Sequence, residues 1–403
     1  MSATNEQIRP YRVELDQAEL DDLADRVSRT RWSTGELTDA GWSRGVPTAY
    51  LKELAERWTS NFDWRAYETR LNAYPQFTTE IDGATVHFLH VESPEPDAMP
   101  LVLSHSWPGS VIDFLDVIGP LTDPLAHGGD PADAFHLVIP SIPGFAFSGP
   151  TRDGGWDSAR IGRAFAALMA RLGYHRYGAA GNDAGSMISI DVAKADPEHV
   201  VGAHVTQVFA FPSGDPTEFE SFGPEEYRRL GKLQHFMDEH SGFNKIQSTR
   251  PQTIAHALTD SPTGQLAWTL DLVRGFGELP AEIEKSLDAD FILANATLYW
   301  ATNTAGSSAR WYYDNAHAGQ PGAEQGEQGE QGEDGVQPTA PAGPATPVGV
   351  AVFPGDFLSI RALAERDHHI VRWSEFERGG HYAAVEAPDL LTGDIRAFYR
   401  DLR

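Results

Sequence analysis

The segment Gly181-Asn182-Asp183-Ala184-Gly185-Ser186 places a carboxylate between small residues two positions before it and two after it. It lies between an apolar run that ends at Ala180 and a helix-forming stretch that begins near Gly185. A nucleophile carried on a sharp strand–turn–helix bend needs such neighbours, because larger side chains would clash where the chain doubles back. The same residues would also suit an aspartate that caps a helix beside two turn-forming glycines. Other parts of the chain decide between these readings. Upstream, His105-Ser106-Trp107-Pro108-Gly109-Ser110 follows a strand-like run, where a backbone amide can turn toward a developing oxyanion. Downstream, Phe353-Pro354-Gly355-Asp356 closes another run, and His381 follows in Arg378-Gly379-Gly380-His381. A second carboxylate and a histidine after the first are the parts of a nucleophile–acid–base set.

These residues need a scaffold whose strand ends converge. Short apolar runs bounded by turn residues occur at 85–91, 100–104 and 136–140, and further strands are expected near 177–180, 202–207, 348–353 and 370–373. Helical periodicity over 156–172 and 185–195 alternates with them, which implies βαβ units and a mostly parallel sheet. Residues 1–77 read as a helical extension, with Leu20, Leu23 and Val27, then Leu51, Leu54, Ala55 and Trp58, at three- and four-residue spacings. Two amphipathic helices cannot bury their faces alone, so the extension should pack on the body. The first part of the core spans 78–210. Strand texture then vanishes over 211–318, where 251–258 and 282–300 are expected as helices of an inserted lid. Residues 319–347 are low in complexity, with three Glu-Gln-Gly units from Glu324 to Gly332, and should form a mobile surface excursion. The core resumes over 348–403 and ends in a helix at 388–398. Nucleophile, acid and histidine in that chain order, each at a strand end, match an α/β-hydrolase.

Composition narrows the chemistry. The chain has 31 Lys and Arg against 58 Asp and Glu, a formal charge of −27, which repels phosphate backbones and anionic lipid surfaces. Neither nucleic acid nor a membrane is an expected partner. The absence of cysteine removes disulfides, thiolate zinc sites and cysteine nucleophiles together. The N-terminus lacks the apolar region of a signal peptide and no long apolar run appears, so a cytoplasmic location is expected. No Walker-type loop and no Gly-x-Gly-x-x-Gly after a strand occurs, so no nucleotide or redox cofactor is expected. His235, Glu239 and His240 fit one helical face, but an exposed lid helix explains them more simply than a metal site, and no metal is assigned. Oligomeric state has no signature in the sequence.

With these residues in place, the chain resembles the microsomal-type epoxide hydrolases, α/β-hydrolases with an N-terminal helical extension. The matching segments include Thr30-Arg31-Trp32, Phe62-Asp63-Trp64, Ser141-Ile142-Pro143-Gly144-Phe145, Ile246-Gln247-Ser248-Thr249-Arg250-Pro251 and Arg378 through Glu386. They cover nearly the whole length apart from 319–347. Unlike the membrane-bound members, this sequence is expected to carry no N-terminal anchor. The resemblance implies that Asp183 is the nucleophile, Asp356 the acid and His381 the base, with the Trp107 and Ala184 amides as the oxyanion hole. It implies conversion of a small-molecule epoxide to a vicinal diol through an Asp183 ester. The epoxide could be a compound being detoxified or a natural-product intermediate.

The resemblance also nominates Tyr312, in Arg310-Trp311-Tyr312-Tyr313, as donor to the departing epoxide oxygen. The partner tyrosine expected near the Ile-Gln segment is replaced by Phe243. Phe243, Tyr313 and His105 are expected to line the substrate pocket, and Tyr313 or Tyr227 could supply the missing donor. Ser106 stands where the family usually has Gly, and Ala184 where Trp commonly follows the nucleophile. Two other functions fit the same residues: another Asp-nucleophile hydrolase such as a dehalogenase, or a weakly catalytic binder or shaper of a natural product. Ala184 argues against the dehalogenase, whose halide-binding Trp commonly occupies that position.

Overall fold

The computed structural model describes residues 7–35, 41–275, 287–319 and 346–403. The apolar runs become strands for a physical reason. Val348–Val352 is buried at all its positions, and Met99–Ser104 and Phe135–Pro140 at all but one, as a parallel strand covered on both faces requires. The strands are β1 (Arg9–Tyr11), β2 (Gln76–Ile81), β3 (Ala84–Val91), β4 (Met99–Ser104), β5 (Phe135–Pro140), β6 (Tyr177–Gly181), β7 (Val200–Val205), β8 (Val348–Val352) and β9 (Ile370–Glu375). They form one sheet in the order β1-β2-β3-β5-β4-β6-β7-β8-β9. The pairings from β1 to β5 are antiparallel and those from β5 to β9 are parallel.

Helices cover both faces. Ser158–Arg171 starts where the Asp157 side chain accepts the Arg160 N–H, and it buries Ile161, Ala164, Phe165 and Leu168 along one stripe. The last helix, Pro388–Arg400, lays Phe398 and Tyr399 on the sheet where two strands lack side chains. A Cβ on Gly349 would stand 2.6 Å from the Phe398 ring, and one on Gly178 would stand 2.5 Å from the Tyr399 ring. The Tyr399 hydroxyl then reaches the Ala179 carbonyl at 2.6 Å.

The N-terminal region departs from the expected all-helical extension. Arg9–Tyr11 is an edge strand paired with β2, and Trp64–Leu71 adds a helix to the expected pair, Gln17–Ser28 and Thr48–Ser60. A three-residue strand containing Pro10 is too short to show alternation, which is why periodicity overlooks it. The extension contacts the inserted helix Ala289–Ala301. Trp58 is buried and its indole N–H donates to Thr297 Oγ1 at 2.8 Å, while Arg57 pairs with Asp290 at 2.7 Å.

Between β7 and β8 the described residues form helices at Pro224–Glu239, Gly242–Thr249, Pro251–Asp260, Pro262–Gly275, Ala289–Ala301 and Ala305–Ala316. Three open with proline, whose missing N–H costs nothing in a first turn. The expected helix start at 282 and the excursion at 319–347 fall largely outside the described residues, at 276–286 and 320–345. No helix among the described residues is long and apolar enough to cross a membrane.

Replacing Trp58 with Ala removes a buried ring that joins the extension to the Ala289–Ala301 helix. Urea denaturation should show a loss of about 3–5 kcal/mol. A midpoint unchanged from wild type would mean that the extension contributes little to the body.

Candidate active site

The site is built at the carboxyl ends of neighbouring parallel strands, where open α/β sheets bind ligands. Trp107 follows β4, Asp183 follows β6, Gln207 follows β7, Asp356 follows β8 and His381 follows β9. Asp183 stands between β6 and the helix Ala184–Ala195, at φ 52° and ψ −121°. That conformation is costly for a residue with a Cβ and is kept only where the surroundings enforce it. Here the enforcement is close backbone contact. A Cβ on Gly185 would lie 1.9 Å from the Ser104 carbonyl oxygen, and one on Gly181 would lie 2.4 Å from the Gly185 carbonyl oxygen. The small residues flanking Asp183 are therefore steric requirements, as the spacing predicts.

Asp183 is 8% exposed, and its Oδ1 accepts the Trp107 N–H at 3.1 Å. The Ala184 amide also donates to the carboxylate. Burial raises the Asp183 pKa, while His381 and these two amides oppose the rise. His381 Nδ1 lies 2.8 Å from Asp356 Oδ1, and its Nε2 lies 3.9 Å from Asp183 Oδ2. Burial would lower the His381 pKa, but Asp356 and then Asp183 overcome it and hold it at about 9. Asp356 is fixed in turn by the Phe357 N–H at 2.7 Å and by the Gln207 amide.

Gln207 is a member of the site that sequence reasoning missed. Fully buried, it accepts the Asp183 N–H on Oε1 at 2.5 Å and donates from Nε2 to Asp356. One side chain thus ties the backbone of the strained bend to the acid. Its only sequence signal was a polar residue at the end of an apolar strand.

The helical insertion supplies an aromatic wall. Trp107 and Phe243 stack at 6.1 Å, Tyr312 meets both edge-on at 5.4 and 5.7 Å, and the Trp107 indole donates to Ser308 at 3.0 Å. Burial and the nearby Asp183 charge raise the Tyr312 pKa well above 10, so its hydroxyl keeps its proton. Phe236, 6.5 Å from Phe243, continues the wall to a cleft of about 910 Å³ whose lining includes Trp42, His240, Asp356 and Leu358.

Two expected pocket residues lie elsewhere. His105 is fully buried beneath the loop, with Nδ1 2.8 Å from the Ser106 carbonyl and Nε2 accepting the Ile142 N–H at 3.1 Å. Burial lowers its pKa to about 4 despite the Ser106 bond, so it is a neutral strut rather than a pocket wall. Tyr313, one residue around the helix from Tyr312, stacks on His317 at 4.0 Å. Tyr227, in the helix Pro224–Glu239, is 52% exposed, and its ring lies 5.8 Å from Phe222. His235 and His240 face each other on the surface, and among the described residues no three ligand-type side chains gather to hold a metal.

A mostly parallel sheet with an acid on a sharp strand–helix bend, and a histidine–acid pair beyond an inserted helical segment, defines an α/β-hydrolase with a carboxylate at the elbow. Residues 8–114 match the family described as epoxide hydrolase N terminus. The chain is 33% identical over 428 residues to epoxide hydrolase 1 of Sus scrofa, covering 98% of this chain and 89% of that one. A Stigmatella aurantiaca protein carrying a provisional epoxide hydrolase name is 41% identical over 398 residues, covering 98% and 86%. The Aspergillus niger epoxide hydrolase structure superposes with a TM-score of 0.82 at 29% identity, covering 100% of this chain and 98% of that one. This chain belongs to the microsomal-type epoxide hydrolase family.

Two outcomes test the site's construction. Gly185→Ala should destabilise the protein by about 1–3 kcal/mol or more in thermal denaturation, because the Ser104 backbone cannot retreat without moving β4. For His381, a pKa raised from 6.5 to about 9 means that its stabilising charge is fully present below pH 6.5 and lost as pH rises through 9. The stability gap between wild type and His381→Gln, read from urea midpoints, should therefore narrow from pH 6 to pH 10.

Proposed function

We propose that this epoxide hydrolase works through a covalent ester on Asp183, with Trp107 and Ala184 as oxyanion donors and His381–Asp356 as the base pair. The observation that carries the reading is one geometry. The Asp183 carboxylate takes two backbone N–H groups, and His381, already oriented by Asp356, sits 3.9 Å away on its other side.

Asp183 attacks a ring carbon, the carbon–oxygen bond of the epoxide breaks, and the departing oxygen takes the Tyr312 proton. Ester formation removes the negative charge of Asp183, one of the influences that keep His381 protonated. His381 therefore gives up its proton, which returns through solvent to Tyr312, and the neutral imidazole can accept one from water. The resulting hydroxide adds to Cγ of Asp183, and the Trp107 and Ala184 amides hold the tetrahedral oxyanion. Collapse breaks the ester bond, the diol oxygen takes the proton from His381, and the Asp183 acid returns its proton to His381. The resting ion pair is restored.

Each step assigns a variant. Asp183→Ala should reduce diol formation below detection. Tyr312→Phe should slow ring opening about 100-fold or more, the range expected for losing a positioned acid. His381→Gln, exposed to styrene oxide, should retain the epoxide mass on the Asp183 peptide. Absence of that adduct from folded protein, or wild-type turnover in Asp183→Ala, would overturn the mechanism. Phe243 faces Tyr312 across 5.7 Å, so Phe243→Tyr should supply a second donor and raise the single-turnover rate of ester formation.

A further inference from the structure

Asp113 is a buried acid that the cycle above does not use. It is 1% exposed and sits in the single helical turn Val111–Phe114 that directly follows the loop carrying Trp107. Its Oδ2 accepts the Ser106 hydroxyl at 2.9 Å and its Oδ1 the Ser110 N–H at 3.2 Å, and the Ser106 backbone also donates to it. Three donors converging on one carboxyl suit its ionised form, while burial pushes its titration up to about 7.

The loop is wrapped around this group. A Cβ on Gly109 would stand 2.0 Å from Asp113 Oδ2 and 2.1 Å from Ser106 Oγ, so only glycine fits the turn. Other contacts hold single points of the loop from outside: Tyr299 donates to the Gly109 carbonyl at 2.7 Å and Ser110 to Asn295 at 2.6 Å. Asp113 alone among these binds residues on both sides of Trp107, at 106 and at 110. A bridge across both ends sets the direction of the peptide plane between them, which a contact at one end cannot do.

We propose that Asp113 is the positioning residue of the oxyanion loop, its carboxyl group clasping Ser106 and Ser110 so that the Trp107 N–H points at the Asp183 carboxylate. The inference rests on the ester mechanism proposed above. Its kinetic signature follows from when the amide matters. In ester formation the amide holds the oxygen of Asp183 that does not attack, whereas in ester hydrolysis it holds a full oxyanion. Loosening the loop therefore slows the second step more than the first.

The test is steady-state kinetics with styrene oxide, combined with acid-quenched mass spectrometry of the Asp183 peptide, in wild type, Asp113→Asn and Ser106→Ala. Asp113→Asn should lower kcat at least tenfold and KM in parallel, leave kcat/KM within about threefold, and raise the fraction of enzyme held as ester. Ser106→Ala removes the hydroxyl donor to Oδ2, together with that hydroxyl's bond to Tyr382, and should show the same pattern at smaller size, and it carries the test if Asp113→Asn does not fold. A purely structural role would lower kcat at unchanged KM and unchanged ester fraction, and that result would overturn the proposal. His381→Gln run alongside separates the two readings. No ester there removes the mechanism and this inference with it, whereas ester there with wild-type ester fractions in both loop variants removes this inference alone.

Discussion

Two carboxylates and one imidazole share a buried site, and the rest of the molecule is arranged around that excess of negative charge. An ionised carboxylate is costly to bury unless its oxygens are paired. Here the pairing comes mainly from neutral groups fixed by the fold. The Trp107 and Ala184 amides serve Asp183, and the Phe357 amide and Gln207 serve Asp356, with His381 as the cation between them. Backbone donors need no conformational entropy to hold them once the strands are in place. That is why the site sits where β4, β6 and β8 end, and why the bend at Asp183 is kept despite its strain.

The arrangement ties electrostatics to progress along the proposed cycle. Asp183 and Asp356 both favour the protonated histidine in the resting enzyme. Consuming one of those charges in an ester changes the basicity of the histidine at the moment a base is needed. No movement of the scaffold is required for the change, only the loss of a charge 3.9 Å away.

The elbow, the strand ends and the placement of Asp183, Asp356 and His381 at those ends were legible in the sequence because each depends on local constraints. Small residues around Asp183 are dictated by contacts under 3 Å, and the strands announce themselves as runs of Val, Leu and Ile. What stayed hidden depends on tertiary placement. Gln207 and Asp113 look like any polar residue beside an apolar segment until the sheet brings their partners within reach. His105 misled for the complementary reason. Its neighbours in sequence belong to the site, but its side chain points under the loop into Ile142. Tyr313 differs from Tyr312 by one step around a helix, enough to exchange the aromatic wall for His317. The edge strand at Arg9–Tyr11 was too short for any periodicity to register.

The insertion leaves the sheet after β7 and returns at β8, and these two strands are direct neighbours paired in parallel from Ala203 with Val348 to Val205 with Val350. The scaffold closes on itself beneath the inserted helices, whatever their length. Asp183, Gln207, Asp356 and His381 belong to that closed part, whereas Tyr312 and Phe243 belong to the insertion. The protein is therefore modular in a particular sense. Sequence drift in the helices can reshape the aromatic wall above the site, while the bend at Asp183 and the His381–Asp356 pair are set by the sheet below.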